Sequence, residues 1–74
     1  MKVYVLMFHT TQGHSECSGV FRDSDTAKRK AESDSYYPVT NGWEYDDNDS
    51  YWHGSTDSER DWWAIEAFDI DLFD

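Results

Sequence analysis

The stretch KVYVLMFHT, residues 2–10, decides the fold class of this chain. Its β-branched and aromatic residues favour a strand, and both alternating sets of its side chains are apolar. We therefore expect a central strand that is covered on both faces. Residues 11–15 indicate a turn around Gly13, and residues 16–22 form the hairpin partner of the first strand.

One short helix is expected after this hairpin. Asp23 or Ser24 can accept a hydrogen bond from a free backbone N–H at its start, and basic residues follow near its C-terminal end. Its only apolar positions are Ala27 and Ala31, spaced i and i+4, so a narrow face of small side chains should sit close on a sheet. Pro38 prevents the helix from continuing.

Residues 36–61 are expected to form an acidic and aromatic insertion or hairpin. Asn41-Gly42 is a turn signal. Residues 43–45 and 51–53 are short aromatic strand candidates, and residues 46–50 are the loop between them. This hairpin would add two strands to the sheet.

The last third of the chain predicts a turn and a closing strand. Residues 54–58 are expected to be a turn, although residues 56–59 match a capping box, so one helical turn over residues 57–62 is the alternative. Residues 62–72 form the last strand. Its apolar residues change parity partway along, which predicts a β-bulge near residues 66–67 that restores a common inward face.

The sequence therefore predicts an α+β fold. We expect a small antiparallel sheet of about three to five strands with one short helix on one face, in the order β-β-α-(β-β)-β. The chain has 74 residues, which is room for a single domain over residues 1–74.

The chain is strongly acidic, with 16 Asp and Glu against 6 Lys and Arg and a formal net charge of -10. Thirteen of the acidic residues lie in residues 32–74, where Arg60 is the one basic side chain, and most of the aromatic residues also lie there. This charge argues against binding to DNA, RNA or an anionic membrane through a basic patch. The C-terminal half is thus both acidic and aromatic.

The composition also predicts where the protein acts. No apolar run approaches the length needed to cross a bilayer, and no segment has the pattern of a signal peptide. Cys17 is the single cysteine, so an intrachain disulfide is excluded, which suits a reducing compartment. We expect a soluble, cytoplasmic protein.

Metal binding has two weak candidates. His9, His14 and Cys17, with His53 as a fourth ligand, offer the N and S atoms that Zn²⁺ prefers, but their spacing matches no zinc motif. Residues 46–50 are rich in oxygen ligands but lack the glycine and glutamate positions of a calcium loop. The plain interpretation is polar hairpin histidines, a small thiol and a solvated turn, so we predict no metal and no cofactor.

Catalysis has little support in the sequence. The four glycines are isolated, so there is no glycine-rich phosphate loop. Cys17, His9 and a carboxylate could in principle form a triad, but no basic residue stands beside Cys17 in the sequence. We therefore predict that the protein is not an enzyme.

The acidic, aromatic half is the strongest candidate for a partner-binding surface. Duplex DNA carries about one negative charge per 1.7 Å of its axis, and an array of carboxylates can approximate that field. Exposed aromatic residues, among them Trp62, would supply the anchors that charge alone does not. The plain alternative is that the carboxylates only keep the protein soluble. The candidate partner-binding residues are Asp46, Asp47, Asp49, Tyr51, Trp52, Asp57, Glu59, Asp61, Asp69 and Asp71.

Several local motifs together resemble a known family. A hydrophobic first strand precedes a His-containing hairpin, Gly19-Val20-Phe21, two polar capping residues and an alanine-bearing helix, and Trp63-Ala64-Ile65-Glu66 lies in the last strand. This pattern resembles a small family of phage and bacterial proteins of uncharacterised function. It covers residues 2–33 and 62–72. The resemblance implies the fold and a phage origin, and it implies no activity and no functional residues.

We therefore expect a small acidic interaction protein of the phage type. It would bind and inhibit a host nucleic-acid-handling protein, such as a CRISPR, restriction or transcription complex, by anti-CRISPR-like or DNA-mimic-like occlusion. The alternative is a small metal- or ligand-binding accessory domain. The protein would be a monomer, or a homodimer in which the basic patch of Arg22, Lys28, Arg29 and Lys30 meets the acidic face of a second copy.

Overall fold

Over the residues that the structure describes, the chain forms one open antiparallel sheet with a single helix, which confirms the predicted α+β class. The structure is a computed structural model that describes residues 1–47, 51–58 and 60–70. The strands are ordered β2-β1-β5-β4-β3 across the sheet, and each pairs antiparallel with its neighbours. The elements in chain order are β1 (Lys2–Thr10), β2 (Ser15–Phe21), α1 (Ser24–Glu32), β3 (Val39–Asp46), β4 (Tyr51–Thr56) and β5 (Asp61–Asp69).

The core lies between α1 and one face of the sheet. Leu6 and Ile65 are fully buried there as a cross-strand pair, with Trp63 beside them. Ala27 and Ala31 of α1 are also fully buried, because their small side chains let the helix approach the strands closely. The sheet therefore buries one face against α1, and the expectation that β1 is covered on both faces is wrong. No described element covers the other face.

The last strand runs without the bulge that its sequence predicted. β1 and β5 pair residue by residue from Lys2 and Asp69 to Thr10 and Asp61, with no shift of register. Phe68 therefore lies on the opposite face from Ile65 and remains 46% exposed. A regular strand keeps its hydrogen bonds to both neighbouring strands. When one face of the sheet is uncovered, an apolar residue that points to that face can remain exposed. The bulge prediction is wrong for this reason.

The helix begins at the predicted cap and ends before Pro38. The Asp23 carboxylate accepts hydrogen bonds from the hydroxyl and from the backbone N–H of Thr26, both at 2.7 Å. These two hydrogen bonds hold the pKa of the Asp23 carboxyl below its usual value, because they stabilise the charged form. Ser33 is the C-cap, and its N–H donates to the Arg29 carbonyl.

Two predicted turns in the second half lie inside strands. Gly42 has a φ of 83°, but it lies within β3, where the pairing with β4 shifts register between Val39 and Trp43. Gly54 continues β4 as the partner of Trp43, so the predicted turn at residues 54–58 is wrong in its first half. A β-carbon at position 54 would lie 2.6 Å from the Trp43 ring, and glycine is the residue that lets this ring pack on the strand.

The short connection between β4 and β5 is held by a threonine hydroxyl. Thr56 is buried, its Oγ1 lies 2.9 Å from the Asp61 carbonyl, and it accepts the Ser58 N–H at 3.1 Å. Asp61 then begins β5, so the alternative of a helical turn over residues 57–62 is wrong for residues 61–62. Residue 59 lies outside the described residues. The local capping signal is overridden because Asp61 pairs with Thr10 of β1.

Candidate interaction surface

The sheet face that α1 does not cover is the candidate functional surface, and we call it the open face. Side chains alternate between the two faces of a strand, so the register fixes which residues lie on it. Cross-strand pairs on the open face alternate with core pairs such as Leu6 and Ile65. Its residues are Val3, Val5, Met7, His9, Ser15, Cys17, Val20, Glu44, Asp46, Tyr51, His53, Ser55, Trp62, Ala64, Glu66 and Phe68.

The acidic part of the open face lies toward the β3 edge. Glu44 is the cross-strand partner of His53, and Asp46 is that of Tyr51. Tyr51 pairs in turn with Glu66 of β5. The carboxylates of Glu44, Asp46 and Glu66 therefore lie around the rings of these two residues, His53 and Tyr51. Of the strand positions on this face that the structure describes, none carries Lys or Arg. The surface potential here is therefore negative.

The apolar part of the open face lies toward β1 and β2. Val5 pairs with Val20, which is 59% exposed, and Val3 pairs with the exposed Phe68. Met7 lies beside them and is half-buried by its neighbours in the sheet. Val3 itself is only 8% exposed, so the exposed apolar area here belongs to Val20 and Phe68. Exposed apolar side chains that are rimmed by charge mark interaction sites on small soluble proteins.

A row of three aromatic rings crosses one end of the open face. Trp62 of β5 lies between His9 of β1 and His53 of β4. The ring centroids are 5.5 Å apart for His9 and Trp62 and 6.3 Å apart for His53 and Trp62, with interplanar angles of 24° and 29°. The His9 Nδ1 also lies 2.7 Å from the Ser15 hydroxyl. Flat rings that are held in this way offer contact area at little cost in side-chain entropy.

The structure separates the two aromatic residues that the sequence grouped with the acidic surface. Tyr51 lies on the open face with Asp46, whereas Trp52 points to the helix side. There the Lys28 Nζ lies 3.4 Å from the centroid of the Trp52 ring, and the Tyr45 ring packs on it with a centroid distance of 4.8 Å. Trp52 thus packs against the core cluster and against a cation, not beside the carboxylates.

The predicted acidic residues are divided between the two ends of the sheet. Asp46 and Asp47 lie at the end of β3, whereas Asp57 and Asp61 lie at the opposite end, near the β4–β5 connection. Asp57 accepts a hydrogen bond from the Thr40 hydroxyl at 2.7 Å. Asp69 is the cross-strand partner of Lys2 and lies at the same end of the sheet as Asp46. Its position along β5 places its side chain on the helix side of the sheet. The remaining candidates, Asp49, Glu59 and Asp71, lie outside the described residues.

The candidate zinc ligands do not come together. His9 and Cys17 lie on the open face, whereas the His14 Nε2 lies 3.4 Å from a carboxylate oxygen of Glu16, which is on the helix side. Over residues 1–47, 51–58 and 60–70, no group of three or more His, Cys, Asp or Glu side chains is placed to hold a metal ion. Cys17 is exposed.

Sequence reasoning missed most of the apolar part of the open face. The sequence predicts that Met7 and Phe68 point into a covered interior, and it gives no face for Val20, whereas Phe68 and Val20 are exposed. Their positions in the sheet alternate with those of Leu6 and Ile65, which places them on the opposite face. This alternation identifies them only once it is known which face the helix covers.

No protein-family model matches the chain, and neither a curated protein nor a solved structure is significantly similar to it. The resemblance to a phage and bacterial family therefore stays a prediction. In the part of the chain that the structure describes, none of the helices has the length and apolar character to span a membrane.

Proposed function

We propose that this protein is a small acidic interaction protein of the phage type, which binds a nucleic-acid-handling host protein in the bacterial cytosol and inhibits it. The single observation that supports this proposal is the open face, an uncovered sheet surface with apolar and aromatic side chains beside three carboxylates. The partner is a protein whose basic, nucleic-acid-binding surface also exposes apolar groups.

Charge and apolar contact have separate roles in this proposal. The net charge of -10 would steer the protein toward a basic surface and speed association, which is the main effect of complementary charge. Val20, Phe68 and Trp62 would then fill apolar positions on the partner and slow dissociation, as aromatic anchors do at interfaces. Inhibition is occlusion of the nucleic-acid site, and it requires no chemistry.

The matched pair Glu66→Lys and Asp69→Lys tests which face is used. Both residues are exposed, both lie on β5 and both substitutions change the net charge equally, but Glu66 lies on the open face and Asp69 on the other parity. Phe68→Ser removes an exposed apolar anchor from the open face. Circular dichroism confirms that each variant is folded before it is used.

The experiment has a capture step and a displacement step. Proteins captured from host lysate by the wild type are identified, purified and bound to labelled duplex DNA, and displacement of the DNA is measured at about 0.05 M and about 0.2 M salt. We expect wild type and Asp69→Lys to displace DNA, Glu66→Lys to associate more slowly, and Phe68→Ser to dissociate faster. A captured protein that releases no DNA, or that binds the open-face variants as tightly as the wild type, overturns the proposal.

A further inference from the structure

A concave site lies on the opposite side of the sheet from the open face, beyond the C-terminal end of α1. It is a cavity with a volume of about 170 Å³. The segment that follows the helix crosses one end of the strands here. The cavity is lined by four aromatic side chains and two carboxylates, namely Phe8, Tyr36, Tyr37, Trp63, Glu16 and Asp34.

The aromatic walls are fixed by contacts with one another. Phe8 is the cross-strand neighbour of Trp63, with ring centroids 4.8 Å apart, and it stacks on Tyr37 with a centroid distance of 5.3 Å. The Trp63 indole N–H donates to the Tyr37 carbonyl at 2.7 Å, and Trp63 is only 4% exposed. Tyr36, in contrast, is 85% exposed and lies at the rim. The floor is therefore preformed, while one wall is open to solvent.

The two carboxylates make the cavity negatively charged. Glu16 is the cross-strand partner of Phe8, so its side chain stands beside the aromatic floor, and its Oε2 also lies 3.4 Å from the His14 Nε2. Asp34 accepts the backbone N–H groups of Tyr36 and Tyr37 at 3.0 and 2.8 Å, which fixes its carboxylate at the same cavity. The negative end of the α1 dipole lies close by in the chain, since α1 ends two residues before Asp34.

We propose that this cavity binds an alkylammonium cation. Aromatic side chains attract cations through their ring faces, and the exposed rings at this cavity are those of Tyr36 and Tyr37, with Phe8 and Trp63 buried beneath. Exposed aromatic rings beside carboxylates suit a substituted ammonium group in particular. An anion is repelled by the two carboxylates, and a neutral apolar ligand would remove water from them without compensation. The site goes beyond the proposed function, because its residues do not belong to the open face. The cation is either a free small amine or a lysine side chain of a protein.

Nuclear magnetic resonance of the wild-type protein tests the site directly. The indole N–H of Trp63 and the backbone N–H groups of Tyr36 and Tyr37 are reporters, because each donates a defined hydrogen bond at the cavity. The probes are choline, its neutral isostere 3,3-dimethylbutanol, and a blocked Gly-Lys-Gly peptide. We expect saturable shifts of these three signals with choline and none with the neutral isostere. Tighter binding of the peptide than of choline assigns the cation to a lysine side chain, and the reverse assigns it to a free amine.

Variants at exposed positions test the two parts of the site. Glu16→Gln should weaken choline binding about two- to fivefold, the range for an exposed ion pair, whereas Glu44→Gln, the same change on the open face, should not. Tyr36→Ala should weaken it about two- to fivefold, and Tyr36→Phe, which keeps the ring, should retain it. Absence of shifts with both choline and the peptide overturns the site. Equal shifts with choline and 3,3-dimethylbutanol also overturn it, because they show that charge is not recognised. Neither result bears on the proposed function, which uses the other face.

Discussion

Replacing Gly54 with alanine tests the packing of the second hairpin on the core. A β-carbon at this position would lie 2.6 Å from Cζ3 of Trp43 and 2.8 Å from its Cε3 and Cη2 atoms. These distances are shorter than ordinary van der Waals contacts, so the indole has to move. Its movement is restrained, because the Trp43 indole N–H donates to a Glu32 carboxylate oxygen at 3.0 Å and the ring packs against the core cluster.

The magnitude follows from two opposing effects. Overpacking of a well-packed site costs about 1–3 kcal/mol. Alanine in place of glycine also lowers the conformational entropy of the unfolded chain. This raises the free energy of unfolding by about 0.4–1 kcal/mol where no strain opposes it. We therefore expect Gly54→Ala to lower the free energy of unfolding by about 1–2 kcal/mol, and each kcal/mol lowers Tm by about 4–8 °C in a domain of this size.

Urea and thermal unfolding, followed by circular dichroism, measure this change. The same substitution in a Trp43→Ala background is the matched control, since the alanine methyl group then meets no indole. In that background Gly54→Ala should be neutral or stabilising, so the two substitutions are coupled by about 1 kcal/mol or more. A Gly54→Ala protein that is at least as stable as the wild type, with Trp43 present, would refute the described packing.

Three further predictions concern charge. Lys28→Met removes the cation over the Trp52 ring and should lower the free energy of unfolding by about 0.5–1 kcal/mol in urea titrations, whereas an unchanged value would show that this contact is not formed in solution. The pKa of Asp23 is lowered by its hydrogen bonds with Thr26, so the charged cap stabilises the fold above the usual pKa and this contribution is lost as the pH falls through the lowered pKa. Asp23→Asn keeps an acceptor without titrating, so its Tm should fall less than that of the wild type from about pH 5 to about pH 2, and parallel curves would contradict this role. Because the net charge is -10, the Tm at neutral pH should rise from about 0.01 M to about 0.15 M NaCl as repulsion is screened, and a constant or falling Tm would show that repulsion does not limit stability.

The elements that could be predicted from the sequence are those with strong local signals. The strand at residues 2–10 and the helix that begins after Asp23 are both where the pattern predicts them, because strand propensity and capping hydrogen bonds act over a few neighbouring residues. The fold class follows from these elements.

The positions that could not be predicted depend on contacts between distant residues. Gly54 has the composition of a turn, and only the Trp43 ring, eleven residues away in the chain, explains a glycine within the strand. The apolar residues of β5 switch from one face of the strand to the other partway along it. Either a bulge or an exposed Phe68 can accommodate this switch, and the number of covered sheet faces decides between them.

The candidate site depends on the alternation of side chains along a strand. Tyr51 and Trp52 are adjacent in a strand, so alternation alone requires them to lie on opposite faces. Both are candidate partner-binding residues, and one of them lies beside the carboxylates of the open face. The cross-strand partners Asp46 and Glu66 identify Tyr51 as the member on the open face, while Lys28 covers Trp52 on the other.

The four tryptophans report most directly on the central claim that the open face is the binding surface. Trp62 lies on the open face, whereas Trp43, Trp52 and Trp63 lie on the helix side of the sheet. Labelling with 5-fluorotryptophan gives one fluorine resonance for each residue, and single Trp→Phe variants assign them. When the captured host protein is added, the resonance of Trp62 should shift the most, and that of the buried Trp63 the least. A complex that shifts Trp43 or Trp52 and leaves Trp62 unchanged would contradict the account.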